Sequence, residues 1–294
     1  MKNILFKRKR KPYSIGLALS GGGAKGFAHI GVFRALEEFG IRPDIISGTS
    51  VGALMGSLFA DGYSAGEIEQ LFDGREFTEF AQIQLPKSGI FDSSRFSLFL
   101  EQHLRARRFE ELQIPLIVVA TDLDSGKSHA FTSGPIAETV RASCSIPVLF
   151  SPVLIDGVHY VDGGLFHNFP VSFLRPRCEY VIGVNVSPCV PRDYSQNLYG
   201  IAERSFHYLF RANTDPDRKN CDILIETGAF GQYRMFDLKN IDRIVRTGYR
   251  TALETLERFL TDRKKKAPVR SFLYKFPKLK SLQIHPPVKA STGE

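Results

Sequence analysis

Pro43-Asp-Ile-Ile-Ser-Gly-Thr-Ser-Val-Gly-Ala-Leu-Met-Gly-Ser-Leu-Phe-Ala-Asp-Gly62 decides the fold. Its pattern predicts a short apolar strand over 44–47, a sharp turn, and an apolar helix over 51–60. The turn reads Gly48-Thr49-Ser50-Val51-Gly52, which fits G-x-S-x-G. Glycines two residues either side of a serine let a strand and a helix nearly touch. The serine hydroxyl then stands at a helix N-terminus, where backbone N–H groups favour developing negative charge. A chance match inside a loop would carry none of this chemistry, so the rest of the chain has to decide.

Upstream, 13–19 reads as a buried strand. Ser20-Gly-Gly-Gly-Ala-Lys-Gly26 follows it directly, and 27–39 has helical spacing that ends at Gly40. Downstream, Ser64 and Glu67 form a capping-box pattern that opens a short helix to 72. A phenylalanine-rich stretch, 72–109, includes a helix to 104 capped by Asp92 or Ser93; it reads as core, or as a cap over Ser50. The apolar run 115–123 is a strand buried on both faces, with 128–132 pairing beside it. Pro135 opens a helix to 143. Residues 153–161 form a hairpin around Asp156-Gly157 that delivers Asp162-Gly163-Gly164 at its end. A strand over 180–186, a helix over 198–210, a strand over 222–226 and a helix over 238–260 complete the pattern. Strands and helices alternate without a linker, so the class is α/β with a single domain at 13–262, between basic tails at 1–12 and 263–294.

The chain has 294 residues, 43% of them hydrophobic, and a formal net charge of +8. The charge gathers at 7–11, at 263–266, and at Lys275, Lys278 and Lys280. Such runs are solvated tails or contacts for an anionic membrane surface. No nucleic-acid module accompanies them, and no nucleic-acid partner is expected. Cys144, Cys178, Cys189 and Cys221 show no paired spacing, which points to reduced thiols in a cytoplasmic protein and to no zinc site. No apolar run is long enough to cross a membrane, and the N-terminus lacks the apolar core of a secretory signal.

Three pieces can converge on one reaction: Ser50 as nucleophile, the loop 21–26 as oxyanion hole, and Asp162 as base. Gly22 and Gly23 are the preferred donors, because a backbone without Cβ lets a substrate oxygen approach. Gly21-x-Gly23-x-x-Gly26 also matches a dinucleotide fingerprint. That reading wants an acidic residue closing the second strand, and Asp44 stands before that strand instead. No Gly-Lys-Ser/Thr follows, so a Walker loop fails. No metal-ligand cluster is present and no cofactor is expected. Asp122, Asp124 and Asp156 read as turn residues. A histidine base would have to be His167, His207 or His285. His167 is too close behind Asp162 to be placed freely, and His207 lies in a predicted helix.

Ser20-Gly-Gly-Gly-Ala-Lys-Gly26, Gly48-Thr-Ser-Val-Gly52 and Asp162-Gly-Gly164 together resemble, in order, the three signature motifs of patatin-like phospholipases. Arg141-Ala-Ser-Cys-Ser-Ile-Pro147 and the residues after Asp162 also resemble bacterial members. The resemblance implies a three-layer α/β/α sandwich with a central mostly parallel sheet and a Ser50–Asp162 dyad. It also implies Gly22 and Gly23 as oxyanion donors and hydrolysis of acyl lipids without a metal. Lys25 falls where many relatives carry arginine; it keeps the charge and loses the bidentate fork. The alternative keeps the fold and drops turnover: a lipid-binding or regulatory adaptor. Head group, chain length and oligomeric state are not legible.

Overall fold

The computed structural model describes residues 11–74, 82–83, 91–188, 194, 196–233 and 240–261. The basic runs 7–10 and 263–266, Cys189 and His285 lie outside the described residues. So does much of the expected cap, at 75–81 and 84–90.

β1 (Tyr13–Leu19) leads through a 3-10 turn, Gly23–Phe27, into α1 (Ala28–Glu38). β2 (Ile45–Thr49) and α2 (Val51–Ala60) flank Ser50, and α3 (Ala65–Phe72) follows. Ser64 and Glu67 complete the capping box before α3. A small ribbon, β3 (Gln82–Ile83) with β4 (Phe91–Asp92), precedes α4 (Ser94–His103). β5 (Leu116–Asp122), β6 (Lys127–Phe131) and α5 (Ile136–Ser143) lead to the hairpin β7 (Val153–Ile155) and β8 (Val158–Asp162). At the hairpin turn both Asp156 and Gly157 have positive φ, as a two-residue turn between twisted strands requires. α6 (Gly164–His167), β9 (Cys178–Asn185), α7 (Leu198–Arg218), β10 (Ile223–Glu226) and α8 (Ile241–Thr261) follow as the last of the described helices and strands.

The strands make one sheet in the order β10-β9-β1-β2-β5-β8-β7, with β6 also paired to β5. β10, β9, β1, β2 and β5 run parallel; β6, β7 and β8 are antiparallel to their neighbours. Alternate residues of the central strands feed opposite layers. Ile15, Leu17, Leu19 and Val118 pack with α1, α2, α3 and α8. Ala18, Ile117 and Val119 pack on the other face against Phe169, Val171 and Leu174. Burial on both faces is why these strands read as continuous apolar runs. The result is a three-layer α/β/α arrangement around a mostly parallel sheet.

Three departures from the expected boundaries have definite physical causes. β2 continues to Thr49, because its edge pairing with β5 runs to Thr49 opposite Val119. α1 begins later than expected because the glycines first wind a 3-10 turn. α7 runs on past Phe210 to Arg218, held there by tertiary contacts. Asn213 Nδ2 donates to the Gly164 and Leu165 carbonyls at 2.7 and 3.2 Å, and Asn213 Oδ1 accepts the Asn168 N–H at 2.9 Å.

α1 and α8 cross at backbone contact. A Cβ on Gly31 would run into the Val245 carbonyl oxygen, and one on Gly248 into that of Ala28. The apolar stripe expected on α8 is buried at Ile244, Val245, Leu256 and Leu260. The face also includes small residues, Thr247, Gly248, Thr251 and Ala252, that a search for large hydrophobes passes over.

Candidate functional site

Ser50 adopts φ 54° and ψ −130°. For a residue with a Cβ this is a strained conformation, of the kind that collects where a side chain must be presented. The strain is held by close packing on both sides. A Cβ on Gly48 would meet the Gly52 backbone and come within 2.7 Å of the Ala53 Cα. One on Gly52 would strike the end of β1, at the Leu19 carbonyl. A Cβ on Gly26 would overlap Val51, so the glycine loop lies directly on the start of α2. Ser50 precedes α2 but makes no side-chain cap, which leaves its hydroxyl uncommitted to the helix.

Asp162 reaches Ser50 through β5. β6 pairs with Val118 to Asp122 of that strand. β2 overlaps it at Val118 and Val119, and β8 overlaps it at Ala120 to Asp122. A strand has two edges, so β2 and β8 must share the edge that β6 does not use. β2 ends with Thr49 opposite Val119; β8, running the other way, ends with Asp162 opposite Ala120. The two strands therefore meet head-on at neighbouring residues of β5. Gly163 sits at the junction: a Cβ there would hit the Val119 carbonyl and lie 3.0 Å from the Thr49 methyl.

The end of α5 stitches both strands in place. Ser143 Oγ donates to the Val119 carbonyl at 2.6 Å and accepts the Ser50 N–H at 2.8 Å. The Asp162 N–H donates to the Ser145 carbonyl at 2.9 Å, and Thr121 Oγ1 donates to the Asp162 carbonyl at 3.0 Å. Cys144, between the two serines, lies beside both Ser50 and Asp162. Burial, reinforced by the Asp162 charge, pushes its thiol well above the ordinary range, so it stays protonated. Sequence reading did not assign Ser143 a role. Its only signal was its place inside Arg141–Pro147, the stretch already noted.

Asp162 is 1% exposed and Ser50 8%. Burial pushes the Asp162 carboxyl up to about 6, while the Ser50 hydroxyl and the Gly164 N–H draw it back down. Gly164 N–H donates to Oδ1 at 2.7 Å. Oδ2 has no hydrogen-bond partner among the described residues. The hydroxyl is therefore near enough to act on the carboxylate without making a well-aligned bond to it.

The glycine loop closes the third side. A Cβ on Gly21 would sit against Asn168 Oδ1 and 3.1 Å from the Ser50 Cβ. Gly21 N–H donates to the Asn168 carbonyl, Ser187 Oγ to the Gly21 carbonyl at 3.0 Å, and Val186 N–H to Ser20 Oγ at 3.0 Å. The N–H groups of Gly22 and Gly23 take no part in these ties. Asn168 is 1% exposed, and neither polar atom of its side chain has a partner among the described residues. Lys25 is buried beneath the loop, with Nζ 3.4 Å from His207 Nε2 on α7. Its Nζ thus lies inside the protein, toward α7, and not on the exposed side of the loop.

The other candidates fall into ordinary roles. Asp122 accepts the Asp124 and Ser125 N–H groups and turns the loop after β5. Asp124 holds the His159 N–H at 2.9 Å. Asp44 accepts the Ser14 and Ile15 N–H groups at the start of β1, the end of the sheet away from Ser50. The His167 ring packs on Phe173, and no described histidine hydrogen-bonds Ser50. Among the described residues no group of His, Cys, Asp and Glu side chains could hold a metal, and no helix is long and apolar enough to cross a membrane. What the arrangement can do is attack: a strained hydroxyl, a desolvated carboxylate with a vacant lone pair, and a bare loop on the same side.

The family model described as patatin-like phospholipase matches residues 17–175, more than half of the chain. The patatin-like phospholipase domain-containing protein ZK370.4 of Caenorhabditis elegans is 32% identical over 200 residues, covering 64% of this chain and 15% of that protein. Lysophospholipase NTE1 of Kluyveromyces lactis is 31% identical over 198 residues, with 64% and 14% covered. The chain therefore spans about one seventh of the length of these curated relatives. The crystal structure of VipD from Legionella pneumophila superposes with a TM-score of 0.52 at 17% identity, over 84% of this chain and 67% of that one, a likeness of fold.

Proposed function

Because the chain belongs to the patatin-like phospholipase family, we propose that it is a serine acyl hydrolase that cleaves carboxylic esters of phospholipids or related acyl lipids with a Ser50–Asp162 dyad. The observation that carries this is the head-on meeting of β2 and β8 on one edge of β5.

Ser50 Oγ attacks the ester carbonyl carbon while Asp162 Oδ2 takes its proton. Oδ1 stays bonded to the Gly164 N–H, so the carboxylate keeps its orientation as it changes charge. The carbonyl oxygen gains negative charge and is met by the N–H groups of Gly22 and Gly23, with the N-terminus of α2 adding its dipole. Collapse of the tetrahedral adduct breaks the bond to the alcohol, which leaves with the proton from Asp162. A water then takes the alcohol's place and attacks the acyl carbon as it gives a proton to Asp162; collapse of this second adduct breaks the bond to Ser50 Oγ, which takes that proton back, and releases the fatty acid. Nucleophile, base and donors all come from the chain, so the reaction proceeds without a metal. The enzyme meets membrane lipid as a peripheral protein.

Hydrolysis of p-nitrophenyl butyrate, with and without chelator, tests this. Wild type should turn over in both, and a fluorophosphonate probe should label it at Ser50. Ser50→Ala and Asp162→Asn should each lose turnover. Wild-type rates in Ser50→Ala, or no labelling of Ser50, would overturn the assignment.

A further inference from the structure

The mouth of the site has an apolar exterior. Among the described residues, five of the nine exposed large hydrophobic side chains stand on three segments: Val148 at 66% exposure, Phe166 at 44%, and Ile201, Tyr208 and Leu209 at about half. Scattered exposed apolar side chains are ordinary; a group gathered around one buried site is not. The three segments are the loop 145–151, α6 and α7, and each issues from the site. The loop follows Cys144. α6 begins at Gly164, which holds Asp162. α7 brings Phe210 against Gly164 and His207 against Lys25.

These segments also pack on one another. Ile146 and Phe150 of the loop turn inward and cluster with Phe206 and Phe210 of α7. Asn213 of α7 ties down α6. Val148, between the two inward residues, points out with φ 72°. A β-branched residue in that region costs about 1–3 kcal/mol, so the loop holds an apolar side chain outward against both strain and water.

The polar groups on this face suit an anionic surface. Helical spacing sets Arg204, Tyr208 and Arg211 along one flank of the exposed arc of α7, with Leu209 on the other flank. The Arg204 guanidinium lies over the Tyr208 ring, 4.7 Å from its centroid. Arg211 is exposed and has no ion pair among the described residues, while Asp215, one turn further, is taken by Arg218. Arginine and tyrosine beside aliphatic side chains are the chemistry of the boundary between lipid head groups and hydrocarbon. Self-association on a two-fold axis would set Arg204 and Arg211 against the same arginines of the copy.

We propose that the loop 145–151, α6 and the outward face of α7 form a docking surface for an anionic lipid bilayer, seating the Ser50 site over its substrate. It rests on the hydrolase reading only for its purpose, and its test needs no turnover.

The full chain carrying Ser50→Ala is sedimented with phosphatidylcholine vesicles, alone or with phosphatidylglycerol. It should partition onto the mixed vesicles, less so at high salt. Adding Val148→Ser with Leu209→Ser, or Arg211→Glu alone, should weaken partitioning about tenfold or more. Leu123→Ser, an exposed leucine on the turn after β5, should not. Unchanged thermal melts show that the variants fold. No partitioning of the Ser50→Ala chain would overturn the proposal. So would full binding by the surface variants, which would assign binding to the basic tails. So would a dimer, seen by light scattering, that Val148→Ser with Leu209→Ser dissociates. Turnover failing in wild type while vesicle binding follows this pattern would refute the hydrolase reading alone.

Discussion

Replacing Asp162 by asparagine should stop the reaction and strengthen the fold. The side chain keeps its shape, and Oδ1 can still accept the Gly164 N–H. What disappears is a charge buried at 1% exposure. Raising this carboxyl from its ordinary 3.8 to about 6 penalises the ionised form by roughly 3 kcal/mol, at about 1.4 kcal/mol per pH unit. The sign follows from the direction of that change. A carboxyl that is harder to ionise in the folded state stabilises the fold fully below about pH 4, and that contribution is lost as pH rises through about 6. A neutral amide in its place is free of this loss. The variant should therefore match or fall below wild type at pH 4 and exceed it by about 2–3 kcal/mol at pH 8, or about 5 °C in Tm. Thermal melts of both proteins across that range measure it. A variant less stable than wild type at pH 8, or one with the same advantage at pH 4 and pH 8, would refute the view that burial of an ionised Asp162 strains this site.

The same carboxyl sets the acid limb of activity: kcat/KM for a soluble ester should fall about tenfold per pH unit below about 6, and a rate that stays flat down to pH 5 would remove Asp162 as the base. Ser143→Ala should leave the Val119 carbonyl and the Ser50 N–H without their shared partner, costing about 1–3 kcal/mol and lowering kcat more than it changes KM. Unfolding in urea with parallel esterase kinetics reads both effects. Gly31→Ala should force α1 from α8 and cost about 3 kcal/mol or more, whereas Gly66→Ala, with nothing within 4 Å, should be neutral or stabilise by up to about 1 kcal/mol. Equal midpoints for the two alanine variants in denaturant would contradict the close helix crossing.

Local features were legible before the structure. The elbow at Ser50, the glycine loop and the Asp156-Gly157 turn are each specified by a few adjacent residues whose backbone demands have few solutions. The boundaries of α2 and the capping box at Ser64 were readable for the same reason. Contacts between distant segments were not. That β2 and β8 occupy one edge of β5 follows from pairing register, which no single stretch encodes. Ser143 joins Ser50 to Val119 across 93 and 24 residues of separation, and a serine ending an amphipathic helix looks like any other. The end of α7 was missed because Asn213 acts through partners near Asp162. The small-residue crossing of α8 on α1 was missed because close approach is written in glycine, which a hydrophobic count ignores.

The head-on junction at β5 puts the site's ruler in a third strand, against which the two strands that carry the reactive groups are registered. Thr49, which precedes the hydroxyl's residue, and Asp162 stand opposite adjacent residues, Val119 and Ala120, of a third segment. Loops elsewhere between Ser50 and Asp162 can lengthen, shorten or be exchanged without moving either group. One residue inserted into β8 would instead turn Asp162 to the opposite face of the sheet. Grafting new specificity onto this scaffold should therefore leave the middle of β5 and the last turn of α5 untouched and treat the intervening loops as replaceable parts.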